Sequence, residues 1–116
     1  FLEADVAYDV PLGSPWADLV FSRQMTQHMC SDDARRFLRL VSRSGARFAL
    51  LTTFETDEAF ANADIPCDSG GYRPQDLTKP PYGLPPPLRF FSERYPLDGR
   101  VGLGLWHVPT LRRRLR

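Results

Sequence analysis

Two apolar runs constrain this chain more than anything else in it. Leu19-Val20-Phe21 and Phe48-Ala49-Leu50-Leu51 are short and continuous. Between them the apolar spacing changes: Ala34, Phe37, Leu38 and Val41 fall at i, i+3, i+4 and i+7, one stripe along a helix. Ser31 is the expected N-cap, with Asp32 and Asp33 in the first turn, where carboxylates favour the helix dipole. Gly45 is the expected C′ residue. Strand, helix and strand make a parallel βαβ unit over residues 17–54, with a right-handed crossover expected. Its first strand, 17–21, lacks polar alternation and reads as covered on both faces. It breaks into Ser22 and Arg23, and a turn or short helix over 24–30 carries His28. In open α/β sheets such strand ends line the ligand crevice.

The rest of the chain reads as follows. Residues 1–5 form a strand ending at Asp5, and 7–16 a loop. Residues 55–87 lack periodicity and hold seven of the eleven prolines. So long a loop inside a compact domain is usually functional or disordered, and Tyr72 and Tyr82 within it favour order. Residues 88–95 and 101–108 form an antiparallel hairpin around a turn at 96–100, and 111–116 a basic tail.

With 116 residues the chain makes at most one small domain. A net charge of +1 implies neither a nucleic-acid nor a membrane partner, and no apolar run is long enough to span a bilayer. Cys30 and Cys67 could form one disulfide but read rather as reduced thiols of a cytoplasmic protein. With the two histidines they show no zinc spacing, so no metal is expected. A chain that opens on Phe1, at once in strand material, is expected to be cut from something longer.

Together these pieces resemble the second half of a class I S-adenosylmethionine-dependent methyltransferase, a Rossmann-like seven-stranded sheet whose antiparallel last strand is inserted beside the fifth. The residues that carry the resemblance are Phe1 to Val6, Ala17 to Arg23 with His28, Arg47 to Phe54, and Gly102-Leu103-Gly104-Leu105-Trp106. They look like its third, fourth, fifth and seventh strands. The loop Gly70-Gly71-Tyr72-Arg73-Pro74 adds to the likeness. The family's glycine-rich cofactor loop is missing from the chain, so residues 1–116 are expected to be a partial domain.

The resemblance implies S-adenosyl-L-methionine as cofactor and a small-molecule oxygen or nitrogen acceptor. No Asn-Pro-Pro-Tyr-type base-flipping motif follows the fourth strand. Asp5 and Val6 would meet the adenine, against the plain reading of Asp5 as a strand-end turn residue. Ser22 and Arg23 would face the cofactor, or Arg23 would turn outward to a surface carboxylate. His28 would be the catalytic base, or a structural histidine at a helix start. Tyr72, Arg73 and Tyr82 would bind substrate, or belong to a packed surface loop. The rival to an enzyme is a non-catalytic methyltransferase-like binding or scaffold module.

Overall fold

The computed structural model describes residues 18–93 and 100–115. They form an α/β domain with one mixed four-stranded sheet and two helices. The elements are β1 (Leu19–Ser22), a 3-10 turn (Thr26–His28), α1 (Ser31–Ser42), β2 (Phe48–Phe54), β3 (Arg89–Ser92), β4 (Val101–His107) and α2 (Val108–Arg114). The expected strand over 1–5, with Asp5 and Val6, lies outside the described residues.

β1 and β2 pair in parallel, Leu19 against Phe48 through Ser22 against Leu51, as the βαβ reading requires. β4 then pairs antiparallel with β2, and β3 antiparallel with β4, giving the order β1-β2-β4-β3. The last strand is therefore inserted into the sheet, and β3 occupies the edge.

The register assigns every strand residue to a face. Val20, Ala49, Leu51 and Trp106 belong to the core beneath the helices, with Phe37, Leu38 and Val41 of α1 and Val108 and Leu111 of α2. Gly104 lies on the same face because a Cβ there would come within 2.5 Å of the Trp106 ring. The indole N–H of Trp106 donates to the Pro85 carbonyl at 2.7 Å, which satisfies the one polar atom the ring buries.

The opposite face joins Leu19, Phe21, Phe48, Leu50, Leu103, Leu105 and Phe91 through the cross-strand pairs. Leu19, Phe21 and Phe91 are 46%, 56% and 45% exposed. β1 was expected to be covered on both faces; among the described residues only one face is. No helix among them is long and apolar enough to cross a membrane.

Three local expectations are corrected. The basic C-terminal stretch is a helix rather than a tail, because Val108 and Leu111 pack into the core and Pro109 sits in the first turn, where a missing N–H costs nothing. Cys30, not Ser31, is the N-cap of α1, and it makes no side-chain cap bond. Gly45 takes φ +79°, but two residues past the Arg43 C-cap rather than one.

The cysteines are the larger correction. They are bonded to each other as a disulfide across a sequence separation of 37 residues. Reduced thiols were the expectation, and the cytoplasmic placement loses that support, since disulfides persist in oxidising surroundings. Spacing alone could not reveal the pair, because the chain has to bring residue 67 back to the start of α1 first.

Candidate functional site

The site is built where β1 ends. Ser22 is half-buried and pairs with Leu51. Arg23 turns out of the strand, its Nε and Nη2 donating to one oxygen of Glu93 at 2.8 and 2.6 Å. The outward, ion-paired alternative is thus the geometry observed. The pair links the two edge strands, since Glu93 directly follows β3.

Gln24 comes next with φ +57°, a left-handed backbone that non-glycine residues seldom take. Its N–H donates to Thr52 Oγ1 at 2.7 Å. This reversal drives the chain into the 3-10 turn and presents His28 to solvent.

His28 Nδ1 lies 3.0 Å from the carbonyl oxygen of Gly71. A carbonyl only accepts, so Nδ1 carries a hydrogen, which leaves Nε2 as the ring nitrogen that can hold a lone pair. The Tyr72 ring stands 5.4 Å from the imidazole, centroid to centroid, tilted by 50°. Tyr72 is largely exposed. His28 and Tyr72, expected on separate grounds to be base and substrate-binding residue, are brought together.

Arg73 takes a different place. Its side chain is buried, the residue 5% exposed. Nε donates to Ala63 O at 2.9 Å, Nη1 to Gln27 O at 3.1 Å, and Nη2 to the Tyr82 hydroxyl at 3.1 Å. Nη1 also reaches Met29 O. Its own backbone N–H donates to Gln27 O at 3.1 Å. Arg73 thus clamps the loop to the turn that carries His28, and its guanidinium faces protein carbonyls rather than an open acceptor pocket. Tyr82 is buried behind it; its hydroxyl accepts from Arg73 and Gln75 and donates to Ser31 Oγ at 3.4 Å.

Asp64 closes the same junction. Its Oδ1 accepts the Ser31 and Ile65 N–H groups, each at 2.8 Å, so a loop residue 33 positions away caps α1. The disulfide explains why no local cap is needed: it holds Cys30, and the loop ahead of Cys67, against the helix start. Cys30, Asp33 and Cys67 offer ligand atoms within 4.8 Å of one another. The sulfurs are bonded to each other, and a metal needs thiolates.

Backbone bonds from Ser31 and then Ile65 hold the Asp64 carboxyl below its ordinary value. Both bonds exist only in the folded chain and favour the charged form. The stabilisation is therefore complete above the unfolded pKa of about 4 and is lost as pH falls through the lower folded value. We expect Asp64→Asn to melt below the parent at neutral pH, with the gap narrowing as pH falls below the unfolded value of about 4 and through the lower folded one. A gap that stays constant with pH would contradict this.

Sequence reasoning missed Gln24, Thr52, Glu93, Asp64 and the disulfide. Of these, only the cysteine count carried any signal. Compared with known proteins, the chain matches no family description, no curated protein and no solved structure.

Proposed function

We propose that this chain supplies the acceptor side of an S-adenosylmethionine-dependent methyltransferase domain, acting on a small-molecule oxygen or nitrogen acceptor. The observation that carries the reading is the strand order. A parallel pair is continued by an antiparallel last strand that lies inside the sheet, with β3 outside it. Under this reading β1, β2, β3 and β4 stand for the fourth, fifth, sixth and seventh strands. The uncovered apolar face agrees with it, because parallel sheets of this class are covered on both sides.

The described residues by themselves do not fit the cofactor. Asp5 and Val6 lie outside them. The two strand glycines are no cradle: a Cβ on Gly102 would come within 2.4 Å of the Phe91 carbonyl oxygen and 2.5 Å of the Phe90 ring, and Gly104 makes room for Trp106. Under this reading the described residues supply a base and a wall. With Nδ1–H held by Gly71 O, the Nε2 of His28 takes the proton from an acceptor O–H or N–H as that atom becomes nucleophilic. Tyr72 offers the acceptor a flat apolar surface beside it. The clamp at Arg73 keeps both in place, and such positioning is most of what an in-line displacement requires.

The alternative, a non-catalytic binding or scaffold module, is favoured by one observation: Arg23 and Arg73 are both engaged by protein groups. Two measurements separate the readings. Titrating S-adenosylmethionine into the 116-residue chain should give no binding tighter than roughly millimolar; micromolar affinity would overturn the half-site. In the product of the whole reading frame that contains this chain, His28→Gln should lower kcat by about 10²–10⁴-fold. Unchanged turnover removes His28 as base, and failure of that product to bind the cofactor leaves the binding-module reading.

A further inference from the structure

Three arginines converge at one place on the helical side of the domain. Arg35 and Arg39 stand one turn apart on α1, and Arg114 closes α2. All three line a single open cavity of about 140 Å³, whose lining is completed by Leu38, Pro81, Tyr82 and Leu115. Among the described residues none of the three makes an ion pair or a side-chain hydrogen bond. Their neighbours are occupied elsewhere: Arg36 with Asp33, and Arg112 with the Ser42 carbonyl.

Helix dipoles account for part of this. A cation near the last turn of a helix is favoured, which suits Arg39 and Arg114 taken singly. It does not account for Arg35, a turn earlier, nor for three guanidinium groups around one concavity. Like charges gathered there repel, and low-dielectric walls focus their field into the cavity. An anion relieves that repulsion. Guanidinium groups match the oxygens of a phosphoryl group, which accept two donors at once.

We propose that this groove binds a small organic phosphate: the phosphoryl group sits among Arg35, Arg39 and Arg114, and the carbon part lies on Pro81 and Leu115. The cavity is small and concave, and all three arginines line it. A net charge of +1 gives no long-range attraction to a polyanion. A compact ligand therefore fits better than a nucleic-acid strand. His28 does not line this groove, although Tyr82, which accepts from Arg73, does, and the proposal does not depend on methyl transfer.

The test is calorimetric titration of the chain with phenyl phosphate and, separately, inorganic phosphate. Phenyl phosphate should bind saturably, about tenfold more tightly than inorganic phosphate, because its ring is itself removed from water against Pro81 and Leu115. Arg39→Gln and Arg114→Gln should each weaken it about tenfold or more. Arg113→Gln, on the same helix and outside the groove, should change it less than about twofold. The three positions are exposed or half-buried, and matching melting curves verify that each variant folds. Absence of saturable binding overturns the proposal, and so does equal binding of the two probes. Equal weakening by Arg113→Gln, or salt-dependent binding of single-stranded oligothymidylate that Arg113→Gln weakens as much as Arg39→Gln, would overturn it in favour of a diffuse polyanion-binding face.

Discussion

Replacing Arg73 with leucine is expected to lower stability by about 3 kcal/mol or more and to loosen the turn that carries His28. The guanidinium is buried and donates to carbonyls at Ala63, Gln27 and Met29 and to the Tyr82 hydroxyl. Leucine fills part of the volume and supplies no donor. Each buried acceptor left without one costs about 1–3 kcal/mol. Gln27 O keeps the Arg73 backbone N–H, whereas the Ala63 and Met29 carbonyls lose the donor they have. Arg73→Lys should recover only part of the loss, since a point charge cannot span acceptors on both segments. Urea unfolding at unchanged m gives the magnitude, and amide exchange at residues 26–29 locates it. A loss under about 1 kcal/mol would mean that water replaces the clamp.

Cys67→Ser is the second large effect, about 3 to 4 kcal/mol. The bridge closes a separation of 37 residues, and loop closure in the unfolded chain sets that scale. The same substitution frees the residue 63–67 stretch from the start of α1, so the Asp64 cap should weaken with it. Dithiothreitol should lower the melting temperature of the parent chain toward that of Cys67→Ser and leave the variant unmoved. A parent chain indifferent to reductant would rule out the bridge in solution. Arg73→Leu and Cys67→Ser act on the same junction, between residues 26–31 and 63–73. Their combined loss should therefore fall short of the sum.

Much of the scaffold was legible beforehand, and for identifiable reasons. β2 runs Phe48–Phe54 where 47–54 was expected, because a continuous apolar run bounded by Gly45 and a charged cluster has few other uses. α1 begins at Ser31 because the stripe and the acidic first turn agree. The hairpin followed from two β-rich segments too close in sequence to pair any other way. α2 was missed although Val108 and Leu111 stand at helical spacing; its arginines drew the reading toward a charged tail. The long loop was read correctly as ordered, but not as entering the core, where Leu77 and Leu84 are buried.

The candidate site divides along the same line. His28 and Tyr72 could be named from the chain because each stands in a local context: a strand tip for one, a paired-glycine turn for the other. That they meet, with Nδ1 held by Gly71, could not. Arg73 could be named but its two readings, substrate binding or a packed loop, could not be separated, because a buried arginine and a ligand-facing one are written alike.

Patterning alone thus settled α1, β2 and the parallel βαβ core, since periodicity and turn chemistry act over a few residues. Tertiary structure decided the rest: the inserted β4, the disulfide, the Asp64 cap, the Arg73 clamp and the arginine groove. Each joins residues that no local pattern relates, such as Asp64 with Ser31 or Arg114 with Arg35. Side chains so far apart in the chain acquire a common environment only when the sheet and α1 are packed and the loop is drawn back across them.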